Sequence, residues 1–564
     1  MDRLHARLSG LARPATAFVS QPEPRTIGSF ARGKQLLAGN FLFDGHLVEA
    51  PARAIWAVPA PGPGFEAAIH GFTWLDDLAA VGDSAARRTA QHWLAGWIDR
   101  YGTGRGPGWR PAVTGRRVIR WINHALFLMQ GQDKAASDAY FRALARQTIF
   151  LGRRWRSAPP GLPRFEALTG LVYAGLALEG MDHMVEPATR ALGRECGRCI
   201  DGSGGLPTRN PEELLEVFTA LVWAAAALGE AGREPARAHR LALERMAPAL
   251  RALRHADGGL ARFHGGGRGA EGLLDHALAA ARVRSGAATG LAMGFARLSA
   301  GRTSIVVDAA PPPPPPLSQN AHASTLAMEL TSGRRPIVVN CGSGAAFGED
   351  WRRAGRATPS HSTLVIEGLS SSRLAPKTRD GRELLADMPR VVTAQQSGGP
   401  DGLSLIATHD GYVPSHGLTH LRRLDLALDG RQVSGEDTLG ALGEGDRQRF
   451  ERAMDRAALR GIRFAIRFHL HPDVEAEIGL GGTAVSLTLK SGEVWVFRHD
   501  GTAELGLEAS VYLEKGRLKP RATKQIVLSS AVMDYATLVS WTLAKAQETP
   551  TALRDTMREG DPAE

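Results

Sequence analysis

The sequence predicts a multi-domain α + β protein: an N-terminal α/α toroid, an incomplete helical barrel, followed by a C-terminal antiparallel β-sandwich. Three observations carry this. The chain has 564 residues, more than one ordinary core serves. From about residue 71 to 285, apolar residues recur at i, i+3, i+4 and i+7. Beyond six consecutive prolines at 311–316 the period becomes two, with Asp429-Gly430, Ser491-Gly492 and Asp500-Gly501 between the runs.

Residues 1–70 hold short extended pieces, FLFDGHLVEA and AIWAVPAPGPGFE, broken by proline and glycine; they read as a lead-in that packs on the first domain. The toroid, residues 71–285, contains at least seven amphipathic helices, among them SAARRTAQHWLAGWIDRYG and GRRVIRWINHALFLMQG. One has clear start chemistry: Asn210 as cap, Pro211 at the first helical position, then Glu212 and Glu213. The loops DGSGGLPTRN and ADGGLARF mark sharp turns. The prolines read as a stiff extended loop at the start of the second domain. Residues 286–545 form the sandwich. In Phe464–His471, aromatic and aliphatic side chains share one face, while Arg467, His469 and His471 share the other, expected to be solvated. Residues 546–564 read as a frayed tail.

Charge and composition exclude several function classes. The net charge is +10, with 68 Lys+Arg against 58 Asp+Glu. The surplus is dispersed arginine, with no basic tract, zinc finger or helix-turn-helix signal, so nucleic acid is not expected as a partner. Guanidinium groups pair bidentately with carboxylate and sulfate, which suits an anionic glycan; a GC-rich genome accounts for the surplus equally well. Three cysteines give no disulfide framework. Cys196 and Cys199 form a lone C-x-x-C and read as small core residues. MDRLHARLSGLARPATAF lacks the apolar run of a secretory signal, and the longest apolar run, Ala220–Leu228, is too short to span a membrane. Sequence alone therefore points to the cytoplasm.

The stretch from Ser318 to Glu367 concentrates the chemistry. His322 and His361 each lead into an apolar run read as a strand, and Ile337-Val338-Val339 delivers Asn340 at the end of a third. Three neighbouring strand ends would bring two imidazoles and an amide oxygen to one point. That is a site for one zinc or other divalent metal, or a polar catalytic cluster. The same spacing also suits two ordinary strand-end histidines.

AHASTLAMELTSGRRPIVVNCG and RATPSHSTLVIEG, with GLVYAGLAL and TRNPEELLEVF upstream, resemble the heparinase II/III-like polysaccharide lyases over roughly residues 70–540. The resemblance implies β-elimination on a uronate-containing glycan in a cleft between toroid and sandwich, and a cell-envelope or periplasmic setting. Such chemistry needs a neutraliser for the uronate carboxylate, a base and an acid. His322 and His361 match the family's metal-type histidines. Asn340 falls where an aspartate is usual, and Asn320 where the catalytic histidine is usual. Gly161-Leu162-Pro163-Arg164 replaces the expected Asn-His pair, and Glu212 or Glu213 the expected tyrosine. Arg164 and Arg209 stand in as carboxylate receivers, Tyr412 and His420 as acid/base candidates, and Asn320 and Trp121 as further substrate contacts. The literal pair Asn123-His124 comes one helix too early. The same losses imply an alternative: a catalytically inactive glycan-binding or envelope-assembly protein of this fold.

Overall fold

The computed structural model describes residues 1–11, 15–20, 23–51, 53–283 and 290–546. By packing, the chain divides into two units. Met1–Gly202, Leu215–Ala247 and His276–Arg284 make the first; Ser203–Leu214, Pro248–Asp275 and Ser285–Glu564 make the second. Two stretches of the helical region thus belong with the strands. The expected domain boundary at 285/286 lies outside the described residues, as does the expected tail from residue 547 onward.

The first unit is helical. Its lead-in carries more regular structure than short extended pieces: a helix Phe30–Leu37, then a hairpin of Asn40–Phe43 and His46–Glu49. Asp44 and Gly45 turn that hairpin with φ of 49° and 78°, the two positive angles a tight two-residue turn requires. Helices follow at Ser84–Tyr101 and Lys134–Arg154, started by Asp83 and Asp133, whose carboxylates accept from the amides of Ala86 and Ala136 at 2.8 Å. The helices Pro111–Asn123 and Leu162–Ala177 touch backbone to backbone. A Cβ on Gly170 would lie 2.5 Å from the Gly115 Cα, and one on Gly115 2.2 Å from the Glu166 carbonyl oxygen. Only glycine permits that approach.

The second unit holds two antiparallel sheets. One runs Glu504–Tyr512, Arg521–Val532, Ile462–Leu470, Arg335–Val339, Met328–Ser332, Thr303–Asp308, Phe295–Ala300, with Leu364–Ile366 also paired to Ile462–Leu470. The other runs Val392–Gly399, Gly402–Tyr412, Leu418–Leu426, Gln432–Gly440, Ala536–Lys545, Val494–His499, Ala484–Leu489, Val474–Gly479. Between them Ile305, Leu330, Phe464, Phe468, Leu424 and Trp541 share one apolar core, the sandwich that the period-two runs predict. The proline run departs in part from expectation: Pro315–Asn320 coils into a 3₁₀ helix. The expected solvated face of Ile462–Leu470 is also corrected. His469 is buried and donates from Nε2 to the Pro359 carbonyl at 3.0 Å, and His471 packs edge-on against the Tyr512 ring at 4.9 Å. Among the described residues no helix is long and apolar enough to cross a membrane.

Candidate functional site

The polar cluster of the second unit starts at a backbone turn. Asn210 caps the helix Pro211–Glu230, its Oδ1 accepting from the amides of Glu212 and Glu213 at 3.0 and 3.2 Å. Entry into that cap puts Arg209 at φ 50°, a conformation that costs a non-glycine residue about 1 kcal/mol. The guanidinium offsets this. Nε donates to the Met293 carbonyl, Nη1 to those of Ala310 and Pro311, and Nη2 to the Gly294 carbonyl and Asp308 Oδ1 at 2.6 Å. An arginine has five N–H donors, and all five are engaged. Arg209 is therefore a pin, not a free carboxylate receiver.

Asp308 ends its strand fully buried. Ser324 donates to Oδ2 at 2.7 Å, and His264 Nε2 stands 3.3 Å from the same oxygen. Burial alone would raise this carboxyl's pKa; Arg209 and His264 outweigh it and hold the group far below the ordinary carboxylate range. His264 Nδ1 accepts from the backbone amide of His322 at 3.2 Å, and His322 Nε2 accepts from the Gly265 amide at 3.1 Å. The His322 and His361 rings lie 5.1 Å apart at 36°. Both are buried, His322 Nδ1 and both nitrogens of His361 have no hydrogen-bond partner among the described residues, and burial with the nearby His469 and His264 lowers His361 to about 3. Both imidazoles are neutral near pH 7.

A second layer lies beneath. Asn340 Oδ1 accepts from the Ser362 amide at 3.0 Å, and its Nδ2 reaches Glu329 Oε1 at 3.5 Å. Glu329 also accepts from His255 at 3.2 Å and the Arg262 amide at 3.1 Å. Burial opposes its ionisation, but Arg262 and His255 lower it to about 2. The adjoining cavity, lined by Asp257, Arg268 and Tyr512 among others, holds about 20 Å³, room for a water and not a sugar ring.

The His322 and His361 rings are neighbours, while Asn340 is held one layer away by the Ser362 amide and Glu329. Their fit to a divalent metal is poor. His322 Nε2 and Asn340 Oδ1 are already committed to backbone amides. The nearby carboxylates are already paired, Asp308 with Arg209 and Glu329 with Arg262 and His255. Among the described residues no group of three or more His, Cys, Asp or Glu side chains is placed to hold an ion, and a metal site needs at least that many good ligands.

The remaining candidates scatter. Tyr412 is buried in the sandwich, its hydroxyl donating to the Leu364 carbonyl at 3.1 Å, and burial pushes its pKa up. His420 is also sealed there, 2.8 Å from Asp437 Oδ1 and 3.3 Å from His409. Arg422 closes on the same carboxylate with Nε and Nη2 at 2.8 and 3.1 Å. Neither Tyr412 nor His420 is an acid/base within reach of a ligand. Asn320 is exposed at the end of the 3₁₀ helix, against Gly265.

In the first unit, Arg164 spends its guanidinium on the Ala158 and Arg156 carbonyls and on Glu195 at 3.4 Å. Trp121 is fully buried, stacked on Tyr140 at 5.6 Å and edge-on to Trp97 at 5.4 Å, and is no sugar platform. His124 binds Asp76 at 2.9 Å and Thr26 at 3.2 Å, a structural role. Sequence reading missed His264 and Asp308. A signal existed: Asp308 is the acid that closes the apolar run Ile305-Val306-Val307.

The comparisons agree with this architecture. A family model described as "Heparinase II/III-like, C-terminal" matches residues 282–542. FtsZ-localized protein C of Caulobacter vibrioides (strain NA1000 / CB15N) is 31% identical over 556 residues, covering 96% of this chain and 92% of that protein. Among solved structures, Heparinase III superposes with a TM-score of 0.66 at 11% identity, over 96% of this chain and 89% of that one. A mutant of heparan sulfate lyase HepC from Pedobacter heparinus gives 0.59 at 15%, over 97% and 88%. At such identities the solved structures establish the fold, an α/α toroid with an antiparallel β-sandwich. Taken with the sequence relative and the matched C-terminal region, they make this chain a member of the heparinase II/III-like family.

Proposed function

We propose that this protein is a non-catalytic member of its family, an envelope-assembly protein that keeps the lyase fold without β-elimination chemistry. The observation that carries the reading is Arg209. The residue best placed by sequence to neutralise a uronate carboxylate has all five donors bound internally, one of them to Asp308. The reading is also supported by the imidazoles of His322 and His361, which are buried and neutral. A base must meet its substrate proton, and these rings meet none. Asn320 supplies an amide where the family uses a histidine, and an amide takes no proton near neutral pH.

The relative named for localising with FtsZ supports a working place beside FtsZ. An anionic glycan is retained as a ligand to be held rather than cut, a reading supported by the family resemblance and compatible with the +10 charge.

The test has two arms. Purified protein is incubated with heparan sulfate, alginate and polyglucuronate, with and without Zn²⁺, while the absorbance of unsaturated uronate is followed. No rise is expected; turnover proportional to protein concentration on any polymer overturns the proposal and restores the lyase reading. In cells, a fluorescent fusion is expected to co-localise with FtsZ, and a uniformly diffuse signal counts against the assembly role.

A further inference from the structure

The first unit carries a surface cavity that the proposed function does not use. Ile149, Trp155, Leu171, Met181, Met184 and Ala188 form its apolar wall, and its volume is about 510 Å³. Binding pockets span roughly 300–1,000 Å³. The wall comes from the helix Lys134–Arg154, the helix Leu162–Ala177 and the start of the helix Val185–Cys199. Ile149, Leu171, Met181 and Ala188 are buried at its floor, while Gly180, His183 and Pro187 are exposed at its rim. Two methionines in one small wall give a surface that adapts to different apolar shapes.

The charge at the rim has one sign left over. Arg153 lines the cavity, is exposed, and has no partner among the described residues. Arg156 lies over the Trp155 ring at 4.7 Å, presenting a second cation beside the mouth. Of the nearby acids, Asp182 pairs with Arg233 and Glu186 with Arg190 at 3.6 Å, while Glu179 accepts from the Thr16 hydroxyl at 2.7 Å.

We infer that this cavity is a docking site for an acidic peptide segment of a partner protein, entering with apolar side chains spaced along one face of a helix. The few buried apolar residues of its floor suit side-chain anchors, the mode in which an amphipathic helix seats on a groove. The unpaired Arg153 and the stacked Arg156 select acidic residues flanking those anchors. The inference stands on the cavity and its rim alone and does not depend on whether the second unit is catalytic.

The experiment selects a random peptide display library on the full-length protein and measures the enriched peptides by fluorescence anisotropy. Enrichment of peptides with paired apolar residues three or four apart and flanking Asp or Glu is expected. Gly152→Leu places a side chain toward Met184, where a Cβ already meets its sulfur at 3.5 Å, and leucine favours the helix. This variant should fold normally by circular dichroism and bind at least about tenfold more weakly. Arg153→Glu should weaken binding about three- to tenfold and flatten its salt dependence, while Arg447→Glu, far away in sequence on the second unit, leaves it unchanged. The inference falls if the enriched peptides are basic or carry no apolar spacing. It falls equally if they bind folded Gly152→Leu as well as the parent, or if the parent prefers anionic phospholipid vesicles and those vesicles displace the peptides.

Discussion

Arg209 donates to Asp308 at 2.6 Å with both side chains buried, and the two residues lie 99 positions apart in the chain. The pair joins a helix cap to the end of a strand, and the rest of the cluster is arranged around it.

Breaking this pair will unfold the second unit more readily than losing any exposed charge. Arg209→Ala leaves Asp308 without its main countercharge, and removing one partner of a buried pair costs about 3–5 kcal/mol. Arg209→Lys should recover little, because an ammonium has three donors for five acceptors. Urea midpoints by circular dichroism check this; a loss under 1 kcal/mol contradicts the role given to Arg209.

Stability should fall as pH drops below about 6.5. Burial, then the Arg117 and Arg110 charges, lower His70 to about 3; burial lowers His239 to about 4, against the amide-carbonyl contact with Leu221 that raises it. Native His70 and His239 stay neutral while the unfolded chain takes up protons at each, so folding loses stability from the unfolded value of about 6.5 down to the folded ones. At pH 5 each contributes a loss of up to roughly 2 kcal/mol. Denaturant midpoints from pH 7.5 to 5 should show this slope, and His70→Asn with His239→Asn should make it shallower. An unchanged slope sinks the assignment.

The helix crossing at Gly115 and Gly170 leaves no room for a methyl group. Gly170→Ala should destabilise the first unit by about 1–3 kcal/mol through forced separation of the two helices, although alanine is the better helix former. Gly197→Ala, where a Cβ meets nothing within 4 Å, should be neutral or slightly stabilising. A thermal shift of the same size and sign for both contradicts the contact.

Zinc should neither bind stoichiometrically nor stabilise. Protein dialysed against Zn²⁺ and then buffer is expected to retain well under one ion per chain by elemental analysis, with a melting temperature unchanged by EDTA. One tightly held ion per chain lost on His322→Ala would show that the cluster rearranges to accept it.

Much of the fold was legible because it rests on local chemistry. Asn210 capping, the alternation of Ile462, Phe464, Ile466 and Phe468, and the Asp-Gly turns depend on neighbours a few residues away. His322 and His361 read as leading into strands, and the rings do lie 5.1 Å apart, although those strands begin only at Met328 and Leu364. What the sequence did not disclose depends on distant partners. Arg209 looks like a free loop cation until its acceptors, 84 to 102 residues downstream, are known. His420 looks like a strand-edge base, yet strand register sets it opposite His409, and the Asp437 carboxylate closes the network inside the sandwich. Trp121 has the composition of a sugar platform and the surroundings of a core residue. Pattern gives the face of an element, whereas long-range pairing decides which polar groups on that face remain available.

The five acceptors of Arg209 also set an order of events during synthesis. Every one of them belongs to residues 293–311, so a ribosome that has delivered the helices up to residue 283 has supplied none. The segment Ser203–Leu214 must wait, its guanidinium still hydrated, until the first strands emerge. A nascent chain halted before residue 293 would therefore present that loop to proteases, and one released past residue 311 would have the means to lock it.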